Sequence, residues 1–240
     1  MTRRTLLFLA VALASLTPAR LVGAQTPPGP RTNPPTAQPP LSRPDADRVA
    51  QALQRRYDTI RDFSADFVHT YRGGILRTPV SERGTLAVKK PGMMRWVYTS
   101  PEKKTFVSDG RKMYAYIPAD RQVIVSTLPS GDEAPAPVLF LAGQGHITRD
   151  FTVTWADGEP APAYALRLVP KKPDADYAAL IVRLDPGTLQ IRELTTIDGQ
   201  GGRSTFVLTK LQENTGLPDT QFAFRIPPNV DVLTDDRSAR

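Results

Sequence analysis

Residues 84–116 read GTLAVKKPGMMRWVYTSPEKKTFVSDGRKMYAY, and this stretch decides the fold. Short runs of β-prone residues alternate with turn signals at Lys90-Pro91-Gly92, Ser100-Pro101-Glu102 and Asp109-Gly110. Asp-Gly between such runs marks a hairpin, because the favoured two-residue turn needs positive φ at both central positions. Alternate residues of a strand share a face. Met94, Trp96 and Tyr98 therefore point one way, and Tyr114 and Tyr116 on a later strand are expected to extend the same surface. Only one of Met93 and Met94 can face that side, and phase with Trp96 assigns Met94. The stretch predicts a curved antiparallel sheet with a soft, apolar concave face, and nothing in it resembles a catalytic apparatus.

Upstream, the period changes. Val49, Leu53, Tyr57 and Ile60 fall at helical spacing, with Arg48, Gln51, Arg55 and Asp58 opposite them. Asp45 is placed to cap this helix, and Asp47 sits near its positive end. Phe63, Ala65, Phe67, His69 and Tyr71 then alternate as the aromatic side of a strand. Arg72-Gly73-Gly74 turns the chain, and Pro79 suits a sheet edge.

Downstream, a strand is expected over 122–127, followed by a loop rich in Pro and Gly. Pro137 and Gly143 bracket a short helix whose Val138, Leu139, Phe140 and Leu141 are apolar all round, so it must be packed deeply or inserted into a cavity. Further strands are expected over 150–156, 163–169, 177–184, 190–197, 203–211 and 221–226, separated by short turns. Such a series implies antiparallel neighbours. About ten strands exceed what a twisted open sheet carries without curling. The fold class is therefore mainly β (α+β): an incomplete antiparallel β-barrel, a half-barrel, with the two apolar helical pieces as a lid on its open side.

At the other end, Arg3 and Arg4 precede an apolar run over residues 6–16, and Val22-Gly23-Ala24 offers small residues for cleavage. Residues 1–24 read as a secretory signal peptide. Residues 25–44 carry eight prolines among Thr, Gln, Asn and Gly and read as a disordered linker. The folded domain is expected over 45–240. The chain has no cysteine, so neither a disulfide nor a lipidated cysteine is available to it. Its formal charge is +7; three of the 31 basic residues and none of the 24 acidic ones lie in residues 1–24, leaving +4. Basic and acidic residues alternate, so no nucleic-acid surface is expected.

Chemistry is sparse. His69 and His146 are the only histidines, no HExxH pair exists, and no cysteine can complete a zinc site, so no metal or cofactor is expected. His69 falls on the aromatic strand face and reads as a packed histidine. Asp109, Asp120, Asp157, Asp185 and Asp198 sit at turns, where their side chains suit turn geometry. Spacing alone leaves a glycosidase-like carboxylate pair open. Ser108-Asp109-Gly110 lacks the context of a nucleophile elbow, and Gly199-Gln200-Gly201-Gly202 reads as a hairpin turn. The reading is a binder, not an enzyme.

The order of these features resembles the LolA family of outer-membrane lipoprotein carriers. The early helix followed by Phe63-Ser64-Ala65-Asp66-Phe67, residues 84–98, Pro101, residues 107–110 and 113–116, the segment after Pro137, and residues 222–227 carry the likeness across about 45–235. The resemblance implies a monomeric periplasmic shuttle whose cargo is acylated lipoproteins. It would receive them from an inner-membrane ABC-type release complex and deliver them to an outer-membrane acceptor lipoprotein. Acyl chains would lie against Phe63, Phe67, Met94, Trp96, Tyr98, Tyr114, Tyr116, Leu139, Phe140 and Leu141. Lys90 stands where many members of the family have an arginine that hydrogen-bonds lid backbone, and so would latch the lid. Lysine offers a point charge instead of a planar fork. Met94 stands where the family often has an aromatic residue. The physical need is plain: exposing an acyl chain costs about 0.8 kcal/mol per CH₂, on the order of 12 kcal/mol per long chain. An adaptable lining, such as Met provides, suits a surface that must accept such chains and release them. The same half-barrel also occurs in envelope-stress sensors that bind lipids or lipoproteins to regulate a membrane partner. Those carry a second domain, for which this chain is too short.

Overall fold

The computed structural model describes residues 44–73, 76–127, 145–156, 164–173 and 177–235. The proposed signal, the linker up to residue 43, and the segment containing Leu139, Phe140 and Leu141 lie outside the described residues. Twelve strands form one sheet: β1 (Asp62–Gly73), β2 (Leu76–Lys89), β3 (Met93–Ser100), β4 (Lys104–Asp109), β5 (Lys112–Ile117), β6 (Gln122–Thr127), β7 (Phe151–Trp155), β8 (Tyr164–Pro170), β9 (Ala179–Leu184), β10 (Ile191–Ile197), β11 (Arg203–Glu213) and β12 (Asp231–Asp235). Their order is β12-β6-β5-β4-β3-β2-β1-β11-β10-β9-β8-β7. Among the described residues the sheet does not close, and the expected half-barrel is the observed fold.

Two antiparallel meanders meet where β1 pairs with β11, so the early aromatic strand is central. The final strand runs parallel to β6, with Asp231 opposite Gln122. Neither pairing is between sequence neighbours. The strand expected over 221–226 does not form. A 3-10 turn spans Asp219–Phe222, burying Phe222. Pro79 lies within β2, at a stretch where that strand is a sheet edge, as expected. The residues of β2 that pair with β3 begin at Arg83, so the strand has only β1 as neighbour where the proline's missing N–H falls.

Helix α1 (Ala46–Asp58) is capped as expected, with the Asp45 carboxylate accepting from the backbone N–H of Asp47 and Arg48. Its stripe of Val49, Leu53 and Tyr57 is buried together with Ile60, while Arg48, Gln51, Arg55 and Asp58 are exposed. Burying each such apolar side chain stabilises the fold by about 1.5–3 kcal/mol, enough to hold a short helix that would not persist alone. A second helix, α2 (Ile147–Asp150), was not anticipated. It is capped by His146, and its Ile147 N–H donates to Oε1 of the buried Gln54 on α1. These helices pack together and against β7 on the concave side.

Gly84 shows how tightly the centre is packed. A Cβ there would overlap the Val97 carbonyl oxygen and come within 2.6 Å of the Phe67 ring. The missing side chain lets the Phe67 ring pack directly on β2, opposite Gly84 in the register.

An apolar cavity beneath the helix

Cross-strand partners share a face, so the register defines the concave surface. Val88 faces Met94, Leu86 faces Trp96, and Gly84 faces Tyr98; across the next ladder Met94 faces Ser108 and Trp96 faces Phe106. On the other side of β1, Phe67 faces Leu208 and His69 faces Phe206, which in turn faces Leu194. Of these, Leu86, Met94, Trp96, Tyr98, Phe106, Ser108, Leu194, Phe206 and Leu208 line, with the underside of α1, a cavity of about 440 Å³. That volume lies within the range of about 300–1,000 Å³ usual for ligand cavities.

Of the residues singled out from sequence, Phe63, Met94, Trp96 and Tyr98 line this cavity. Phe67 lies just behind the wall. Its ring centre is 5.4 Å from Trp96, 4.9 Å from Tyr98 and 5.7 Å from Phe206, so it supports three of the aromatic rings that the cavity meets. Tyr114 and Tyr116 do not line it. They lie on the convex side, where Tyr114 stacks on Phe224 at 5.2 Å and Tyr116 meets the same ring at 6.1 Å. The inward residue of β5 is Met113, opposite Ser108. Sequence reading also missed Phe106, Ile191, Leu194, Phe206 and Leu208 as wall residues. The alternation of Leu194 and Phe206 with polar neighbours was available as a signal, but it does not say which face is concave.

Two contacts pin the C-terminal end of α1. Lys90 donates from Nζ to the Tyr57 carbonyl oxygen, and the same ammonium stands 3.4 Å from the centre of the Tyr57 ring. Burial drives the Lys90 pKa from 10.5 down to about 8, opposed by the nearby Asp58 carboxylate. Burial, helped by Glu213, pushes the Tyr57 phenol well above its ordinary value, so it stays neutral. From β11, Glu213 takes a two-pronged pair from Arg56, at 3.0 and 2.5 Å. Arg56 and Glu213 are themselves on the cavity wall and form one of its polar ends, their charges paired with each other.

His69 is packed against Phe206, ring on ring at 4.0 Å, and hydrogen-bonded to Glu82 and Ser204. Among the described residues no group of three His, Cys, Asp or Glu side chains could hold a metal ion. The arrangement therefore offers apolar contact, with polar groups confined to its ends.

An unclosed antiparallel sheet, curved around an apolar cavity and crossed by a helix, is the half-barrel class of binding fold. Residues 58–225 match the family model described as outer membrane lipoprotein carrier protein LolA, and the chain belongs to this family. The outer-membrane lipoprotein carrier protein of Pseudomonas aeruginosa is 29% identical over 196 residues, covering 81% of this chain and 92% of that one. Its counterpart from Chromobacterium violaceum is 30% identical over 191 residues, covering 80% and 89%. A crystal structure of a LolA superfamily protein from Nitrosomonas europaea is similar at 14% identity and a TM-score of 0.40, covering 73% of this chain and 97% of that one.

Proposed function

We propose that this chain is a periplasmic carrier that holds the acyl chains of lipoproteins and moves them between the two membranes of the envelope. The observation that carries the reading is the 440 Å³ cavity, walled by Met, Trp, Tyr, Phe, Leu and Ile side chains under a helix that is pinned at one end. Acyl chains bring a large apolar area and no fixed shape. A lining of aromatic rings and thioethers recovers that area without demanding one geometry. Binding and release is the whole activity in this reading, and no bond is made or broken.

In the same proposal residues 1–24 direct export and are removed, residues 25–44 space the domain from its new N-terminus, and the folded domain follows. An inner-membrane ABC-type complex supplies the cargo and an outer-membrane lipoprotein accepts it. The relatives named as lipoprotein carriers support this, as does the cavity. The test is to incubate the purified protein with membranes bearing a triacylated lipoprotein and an energised release complex. The lipoprotein should appear in the soluble fraction as a one-to-one complex with this chain. Retention of the lipoprotein in the membrane at saturating protein would overturn the reading.

A further inference from the structure

The concave face changes character along the strand axis. On β1 the inward residues run Phe63, Ala65, Phe67 and then His69; on β2 they run Val88, Leu86, Gly84 and then Glu82. Phe106 gives way to Lys104 on β4, Leu194 to Thr196 on β10, and Phe206 to Ser204 on β11. Register staggers these changes obliquely across the sheet: Lys104 is level with Tyr98, Gly84 and Phe67, Glu82 is level with His69, and Ser204 is level with Tyr71 and Thr196. Strands β4, β2, β1, β11 and β10 thus share an apolar stretch beneath Tyr57 and Ile60, edged there by the mutually paired Arg56 and Glu213, and a polar band towards the opposite end.

The band is a connected network. His69 Nδ1 is 3.2 Å from Glu82 Oε2, and Nε2 is 2.8 Å from Ser204 Oγ. Lys104 Nζ is 2.5 Å from the other Glu82 oxygen and 4.7 Å from the Tyr98 ring centre. Glu82 only accepts, so Nδ1 carries the proton and Nε2 accepts from the Ser204 hydroxyl. Burial lowers the His69 pKa, outweighing the pull of Glu82, with Lys104 adding to the lowering; the imidazole is therefore neutral at neutral pH. The band then sums to zero charge, with Glu82 against Lys104. An ammonium has three N–H donors, of which Glu82 takes one, and the Ser204 oxygen keeps acceptor capacity.

We infer that this band, centred on Glu82, Lys104, His69 and Ser204, is the subsite for the ester and amide groups at the acylated N-terminus of the cargo, and so sets the direction in which the cargo lies. The inference rests on the proposed carrier function and deepens it. An acylated N-terminus is an amphiphile: hydrocarbon at one end, uncharged carbonyls and peptide N–H at the other. The concave face has the same polarity along one axis. Hydrocarbon lies over Trp96 and Met94, carbonyl oxygens accept from Lys104, and the peptide leaves at the Ser204 end. An anionic phosphate head would have to compete with the Glu82 carboxylate for Lys104 and be repelled by it. Uncharged ester and amide groups accept from the remaining N–H donors of Lys104 without that repulsion, which favours a lipopeptide over a phospholipid.

The experiment uses the purified protein and the charge-neutral double variant Glu82→Gln/Lys104→Met, which keeps side-chain length and the contact to His69. Three probes are titrated: a tripalmitoylated cysteinyl peptide, dipalmitoyl phosphatidylglycerol, and an apolar naphthylamine dye. The unaltered protein should prefer the lipopeptide to the phospholipid. The variant should lose at least about tenfold in lipopeptide affinity, as expected for a hydrogen bond to a charged donor, with dye affinity unchanged. Unchanged lipopeptide affinity would overturn the inference alone, as would equal loss of lipopeptide and dye or equal wild-type affinity for the two lipids. Failure of the unaltered protein to bind any probe would overturn the carrier reading and this inference with it.

Discussion

The Lys90 ammonium meets Tyr57 twice, donating to its carbonyl oxygen and standing 3.4 Å above its ring. One residue of the turn between β2 and β3 thereby holds both backbone and side chain of the helix that roofs the cavity. Replacing Lys90 by Ala should speed both uptake and release of an apolar dye, because α1 loses a restraint at its C-terminal end. Stopped-flow fluorescence measures both rates, and unchanged rates would contradict the latch.

The same residue gives a pH signature. Its folded pKa of about 8 lies below its ordinary 10.5, so between those values the unfolded chain binds the extra proton. Stability gained from this group therefore rises with pH across that window and is flat below it. Compared with Lys90→Met, the unaltered protein should gain in urea midpoint between pH 7.5 and about 9.5. Tyr57 and Tyr98 are present in both proteins and drop out of the comparison. A difference that stays constant with pH would mean that Lys90 is not desolvated.

Arg56 and Glu213 form the second restraint. Their side chains are 25% and 16% exposed, so solvent screens the pair in part, while the two-pronged geometry strengthens it. A double-mutant cycle with Arg56→Met and Glu213→Gln should give a coupling of about 1–2 kcal/mol in unfolding free energy. A value near zero would make the pair incidental.

Met113 and Tyr114 are neighbours on β5 that face opposite sides of the sheet. Met113→Glu should cut dye affinity at least about tenfold by setting a carboxylate in the apolar wall. Tyr114→Ala should leave affinity intact and instead loosen the segment around Phe224, read as faster amide exchange there. The opposite pattern would invert the face assigned to β5.

Gly84→Ala should cost at least about 2 kcal/mol, read from urea unfolding, since the new methyl meets a backbone oxygen and the Phe67 ring.

Much of this architecture is legible in local pattern. The stripe Val49–Leu53–Tyr57 and the alternation of Phe63, Ala65 and Phe67 each have one apolar phase, so helix, strand and buried face follow directly. The phase of Met94, Trp96 and Tyr98 follows from the same logic. On β5 it fails, because Met113, Ala115 and Ile117 compete with Tyr114 and Tyr116 and both phases are apolar. What decides the matter is Phe224, more than a hundred residues away, which covers the convex side and takes the tyrosines. The 221–226 segment was misread for a related reason. Its alternating Phe222 and Phe224 serve a contact to the back of the sheet, not a ladder. Pairings such as β1 with β11 and the parallel β6 with β12 depend on where distant strands settle, and no local signal records that.

The central claim is that acyl chains lie against Trp96. The chain has two tryptophans, and Trp155 sits on the edge strand β7, with its indole N–H donating to the Pro44 carbonyl. In a Trp155→Phe protein, Trp96 is the sole indole reporter. Titration with a lipopeptide carrying bromine on its acyl chains should quench Trp96 fluorescence, while the unbrominated lipopeptide binds equally well without quenching. Binding of the brominated lipopeptide with Trp96 emission intact would place the acyl chains elsewhere and contradict the account.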